Sequence, residues 1–218
     1  DNDHENKGIL AVQGPKSADV MRALGLPADH DYMAFVDALW NGHSLTVCRT
    51  GYTGEHGYEI VAGNDALIDL WNALLSAGQE WGILPCGLGA RDTLRTEMGY
   101  PLHGQDISPT ISPVAARTGW AVGGKKESFA GRQALLAEKE AGPSRVAWGL
   151  LATGPGIPRA HMTVKTVDGR EVGQTTSGTM SPTLQKGIAL ALLSPTVAAG
   201  DELVVDVRGR DLPVTVVK

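Results

Sequence analysis

Ser44–Ala62, SLTVCRTGYTGEHGYEIVA, decides how the first half of the chain is read. Ser44 to Arg49 and Tyr58 to Ala62 both read as strands, and the GYTGEHG between them is a glycine-rich turn. Met33 to Trp40 is strand-like as well. Three strands in succession leave no room for crossover helices, so they pair antiparallel. Working outward, the short apolar run Ile9 to Val12 ends at Gly14-Pro15, and Pro15 suits the first turn of a helix reaching about Leu24. On the other side Asn64 can cap a helix whose Leu67, Leu70, Trp71, Leu74 and Leu75 share one face at i, i+3, i+4, i+7 and i+8, ending near Gly78. Ile83 and Leu84 read as a short strand, and GLGARDTLRTEMG as a glycine-opened helix from about Leu88 to Met98. The fold class expected is α+β, a ferredoxin-like antiparallel sheet with helices on one side.

Tyr100 to Trp120 is rich in Pro, Gly, Ser and Thr, the texture of a long ordered connection. A helix is expected from Phe129 to Lys139, ending before Gly142-Pro143. Beyond it come six short strands at turn-separated intervals: Val146 to Leu151, Met162 to Val167, Val172 to Ser177, Ile188 to Leu193, Leu203 to Val207 and Val214 to Val217. That spacing predicts a small all-β barrel or jelly-roll-like domain. The expected division is therefore 1–143 for the α+β domain and 144–218 for the β domain.

Composition narrows the function. The 218 residues are 42% hydrophobic and 20% charged, and no apolar run approaches the roughly 20 residues a membrane helix needs. A formal charge of −5 offers no basic surface for phosphate backbones, so nucleic acid is not an expected partner. Cys48 and Cys86 form neither a CxxC pair nor a His-framed metal motif, and the histidines lack HExxH spacing. GWAVGGKK, Gly119 to Lys126, approaches a phosphate-binding loop but has Lys126 where the magnesium-holding hydroxyl belongs. The chain opens on Asp1 and a short polar lead, from which a fragment of a longer protein is expected.

Two segments have the residue types of a binding site. In RTGYTGEHGYEI, Arg49 to Ile60, Gly51, Gly54 and Gly57 permit close approach of a ligand, and Glu55 offers two acceptor oxygens to a flat edge bearing adjacent N–H donors. A hairpin tip with a solvated Glu is the competing reading. In PCGLGARDTLRTEMGY, Pro85 to Tyr100, a glycine-led helix start presents free N–H groups to an anion, and Arg91 and Arg95 share a face. Either guanidinium could fork onto a carboxylate; alternatively both pair with Asp92 and Glu97 at the surface. The tryptophans are expected in cores, with Trp120 able to line a pocket.

Taken in order, LAVQGP, RTGYTGEHGYEI, CGLGARDTLRTEMG, ISPVAARTGWAVG, GRQAL, GQTTSGTMSPTL and GIALALL resemble the glycine cleavage T-protein family from Ile9 onward. The resemblance implies an aminomethyltransferase that moves the methylene of an aminomethyl group, carried on the lipoyl arm of the H-protein, to tetrahydrofolate with release of ammonia. It implies that Glu55 holds the amino-pyrimidine edge of the pterin and that Arg91 and Tyr100 contact the distal part of folate, Arg95 being the weaker candidate. It places the catalytic Asp upstream of LAVQGP, so no catalytic residue is expected within this chain; neither Asp1 nor Asp3 sits in the matching motif. The fragment is accordingly expected to bind folate weakly without turnover. His56 stands where the family commonly has an acid. A bacterial cytoplasmic location is expected over the mitochondrial matrix. Related readings are a folate-dependent demethylase, a dimethylglycine or sarcosine dehydrogenase-like folate domain, and a non-catalytic folate-binding protein.

Overall fold

The computed structural model describes residues 2–218, so Asp1 lies outside the described residues. The chain divides into two compact units, Asp1–Arg91 and Asp92–Lys218.

The first unit is a four-stranded antiparallel sheet, in the order β1-β4-β3-β2, made of β1 (Lys7–Gln13), β2 (Phe35–Trp40), β3 (His43–Cys48) and β4 (Gly57–Gly63). The expected hairpin is present, with β3 and β4 in register from Leu45 opposite Ala62 to Cys48 opposite Glu59. Alternation sorts the two faces. Tyr58, Ile60 and Ala62 of β4 are buried with Leu45 and Val47, and helices α1 (Ser17–Ala23) and α2 (Asn64–Ala77) complete that core through Met21, Leu70 and Leu74. Glu59 and Val61 therefore point to the opposite face.

α2 ends beside Gly78 as expected, but its start is fixed differently. Gly63 occupies the cap position, and Asn64 donates from its backbone N to Asn6 O and from its side chain to Glu5 O, tying the helix to the lead into β1. The buried stripe is Ala66, Leu70 and Leu74, whereas Trp71 is 39% exposed. Ile83 and Leu84 are not a strand: the N–H of Ile83 is donated back to Gly78 O at 3.1 Å, closing a turn, and is spent before any ladder could use it.

The second unit contains a closed six-stranded barrel, all antiparallel, in the order β10-β5-β8-β7-β6-β9. Its strands are β5 (Val146–Ala152), β6 (Thr163–Thr166), β7 (Glu171–Ser181), β8 (Lys186–Leu193), β9 (Glu202–Val207) and β10 (Arg210–Val217), and β9 pairs with β10 to close the ring. Leu150, Val164, Leu193, Val205 and Val214 fill the interior, at no more than 1% exposure. All six expected strands are found, and closure removes the edges that would invite pairing with another chain. Helix α3 (Leu88–Glu97) forms as expected; helix α4 runs Arg132–Ala141, three residues later than expected, because Gly131 at its cap is left-handed (φ +85°) and Phe129 to Gly131 is a turn. No helix among the described residues is long and apolar enough to cross a membrane.

Candidate functional site

The hairpin of the first unit is built around Gln13 at the end of β1. Its side-chain amide donates to Thr50 O (3.2 Å) and Tyr58 O (3.3 Å) and accepts from Thr53 Oγ1 (2.9 Å), bracing both ends of the turn. Two of the three glycines serve that brace. A Cβ on Gly51 or Gly57 would lie 2.1 or 2.2 Å from Gln13 side-chain atoms, so they make room for a protein side chain. Of the three only Gly54 takes the left-handed backbone, at φ +80°. Arg49 holds the turn from below, donating to Gly57 O at 3.1 Å and packing 5.3 Å from the Tyr58 ring centroid.

Of the residues singled out by sequence, Glu55 is exposed at the tip, where its own backbone N–H donates to Thr53 Oγ1 at 3.3 Å. Arg91 comes to the hairpin: its guanidinium lies 4.6 Å from the ring centroid of Tyr52, three residues before Glu55. A cation over a tyrosine face keeps its N–H edges directed sideways and available to an acceptor. Neither surface pairing considered for Arg91 is what holds it. Tyr100 belongs to the second unit, where it lines a cavity.

Arg95, the weaker candidate, is fully engaged. Only 1% of the residue is exposed, and its guanidinium donates to Asp92 Oδ1 (2.5 and 2.8 Å), Asp106 Oδ2 (2.7 Å), Tyr100 O (3.2 Å) and Ser177 Oγ (2.8 Å). Such a network fixes the long Tyr100–Trp120 connection on β7 and leaves no donor for a ligand. Glu97, nearby in sequence, accepts from Ser181 Oγ and from the N–H (3.1 Å) and hydroxyl (3.2 Å) of Thr183. Burial raises its pKa, but the Ser181 and Thr183 bonds outweigh it and hold the carboxyl below its ordinary value.

Sequence reasoning passed over Glu59. This carboxylate is half-buried in the middle of β4, accepts from Thr50 Oγ1 at 2.5 Å, and stands opposite Ala11 and Cys48 on the face away from the core. The signal was available in GYEIVA, where alternation puts Tyr58 and Ile60 inside and Glu59 out. Burial first, then Glu59 and Asp37, pushes the Cys48 thiol up, so it stays protonated and unreactive at neutral pH. His56 bonds through Nδ1 to Ser17 Oγ at 2.9 Å; desolvation, then Arg49 and Arg22, lowers its pKa and keeps it neutral. Trp120 is 87% exposed at the rim of two cavities and anchors no core. Among the described residues no group of three or more His, Cys, Asp or Glu is arranged to hold a metal ion.

Comparison with known proteins places this geometry. Residues 2–126 match the GCVT N-terminal domain, and residues 145–218 match the glycine cleavage T-protein C-terminal barrel domain. The chain belongs to the glycine cleavage T-protein family. It is 61% identical over 215 residues to an aminomethyltransferase of Frankia alni, covering 99% of this chain and 59% of that protein. An aminomethyltransferase of Mycobacterium tuberculosis (strain H37Rv) is 54% identical over 218 residues, with 99% and 59% covered. The crystal structure of glycine cleavage system aminomethyltransferase T from Bartonella henselae superposes with a TM-score of 0.88 at 32% identity, covering 97% of this chain and 58% of that one. The chain thus spans about three-fifths of the length of these T-protein relatives.

Proposed function

We propose that the protein is a tetrahydrofolate-dependent aminomethyltransferase, taking the methylene of an aminomethyl group from a lipoylated H-protein and releasing ammonia. The observation that carries the reading is similarity to aminomethyltransferases along 99% of the chain at up to 61% identity. The geometry is compatible with it: a rigid glycine hairpin bears two carboxylates, with the Arg91 cation on its flank.

Tetrahydrofolate supplies the nucleophilic nitrogen that accepts the one-carbon unit. The residues of this chain bind and orient it. A carboxylate on the hairpin accepts paired N–H bonds from the amino-pyrimidine edge of the pterin, and Arg91 together with Tyr100 engages the distal, anionic part of the molecule. The resemblance points to Glu55 for the first role. Burial favours Glu59, because a half-buried acceptor anchored by Thr50 meets less competition from water and is already oriented. Titrating Glu55→Gln and Glu59→Gln separately distinguishes them. Two domains, 1–143 and 144–218, and a bacterial cytoplasmic location complete the proposal. Its test is ammonia release from aminomethylated, lipoylated H-protein by the complete gene product, with and without tetrahydrofolate. Folate-dependent release supports the reading; failure to bind H-protein, or release insensitive to folate, overturns it.

A further inference from the structure

Gln13 reaches both carboxylates of the hairpin through threonine hydroxyls. In the pairing of β1 with β4, Val12 and its partner Tyr58 are buried, so Gln13 and Glu59 share the opposite face of the sheet. Gln13 Nε2 donates to Thr50 O (3.2 Å), and the Thr50 hydroxyl in turn donates to Glu59 Oε2 (2.5 Å). Gln13 Oε1 accepts from Thr53 Oγ1 (2.9 Å), and that hydroxyl accepts from the N–H of Glu55 (3.3 Å). The partners fix the orientation of the amide, because the carbonyls of Thr50 and Tyr58 can only accept and must face Nε2. The seat is cut for this side chain: a Cβ on Gly51 would lie 2.1 Å from Gln13 Oε1, and one on Gly57 would lie 2.2 Å from Nε2.

The two relays are not equal. The Thr53 relay ends on the backbone of Glu55 and sets no constraint on its exposed carboxylate. The Thr50 relay ends on a carboxylate oxygen that is half-buried, so it fixes where the acceptor points. We propose that Gln13 is a positioning residue for pterin recognition, acting through Thr50 to hold Glu59 ready for the amino-pyrimidine edge. The inference rests on the folate reading and assigns within it a residue that touches no ligand. An acceptor oriented in advance avoids the entropic cost of ordering it when the pterin arrives. Loss of Gln13 should therefore weaken the pterin contact and leave the contact of Arg91 with the anionic tail intact.

The test is calorimetry on the complete gene product with tetrahydrofolate, with its pterin half as 6-methyltetrahydropterin, and with its tail half as p-aminobenzoylglutamate. Gln13→Met should weaken tetrahydrofolate and the pterin half about tenfold and leave the tail half within about twofold of the parent, a split that a general loss of structure would not give. Thr50→Val should act alike, and the Gln13→Met, Thr50→Val double variant should be no worse than the stronger single change, because both break one relay. Gly51→Ala, whose Cβ displaces the same amide, should reproduce Gln13→Met, whereas Thr53→Val should stay within about threefold of the parent. Failure of the parent to bind tetrahydrofolate would overturn the folate reading and this proposal with it. Where the parent binds, affinity unchanged by Gln13→Met, equal weakening of the pterin and tail halves, additive losses in the double variant, or a larger effect of Thr53→Val than of Thr50→Val would overturn the role of Gln13 alone.

Discussion

Replacing Arg95 by methionine tests the most demanding electrostatic arrangement in the second unit. Methionine retains much of the apolar stem, so the change reads the lost guanidinium more than a cavity. The partners differ in exposure: the Asp106 side chain is 6% exposed and that of Asp92 is 49% exposed. The Asp92 contact, screened by water, contributes less than about 1 kcal/mol. The Asp106 contact dominates, because removing its cation strands a buried carboxylate with only Leu102 N–H and Ser177 Oγ, a loss of about 3–4 kcal/mol. For a unit of this size that corresponds to a fall of about 10–15 °C in melting temperature. Urea melts of Arg95→Met, Asp106→Asn and the double variant are the assay. The double variant should be more stable than the sum of the single losses predicts, by over about 1 kcal/mol, since both remove the same pair. A loss below about 1 kcal/mol for Arg95→Met, or strict additivity, would refute the claim that this ion pair fixes the connection onto the barrel.

Three further outcomes follow from packing and titration. Tyr58→Phe removes the bond from a fully buried hydroxyl to Ala28 O at 2.6 Å and should cost about 1–2 kcal/mol in urea unfolding. Gly178→Ala should destabilise by about 2 kcal/mol or more, because its Cβ would lie 2.5 Å from Pro158 O, whereas Gly119→Ala, with nothing within 4 Å, should stay within about 0.5 kcal/mol of the parent. Glu97 has a folded pKa below its ordinary 4.5, so its contribution is complete above that pH and is lost as the pH falls through the folded value; Glu97→Gln should flatten the acid limb of the stability profile below pH 4.5.

Much of this fold was legible because burial follows period. Short apolar runs at turn-separated intervals, Val146–Leu151 and Ile188–Leu193 among them, marked the barrel strands, and the i, i+3, i+4 stripe marked α2. What was misread depended on partners distant in sequence. Gly51 and Gly57 looked like room for a ligand, yet the occupant of that room, Gln13, lies at the end of β1. Arg95 resembled a surface cation until Asp106 and Ser177, 11 and 82 residues away, enclosed it. Glu59 was hidden by the more conspicuous Glu55, although the strand's own alternation exposed it. Ile83 is apolar for packing against the first core, not for a ladder.

Calorimetric titration of tetrahydrofolate, with parallel titrations of Glu59→Gln, Glu55→Gln and Arg91→Met, addresses the central claim most directly. Saturable binding is predicted, weakened at least about tenfold by Arg91→Met and by one of the two carboxylate changes, at unchanged melting temperature. Absence of heat attributable to binding in the complete gene product, or affinity unaffected by all three substitutions, would contradict it.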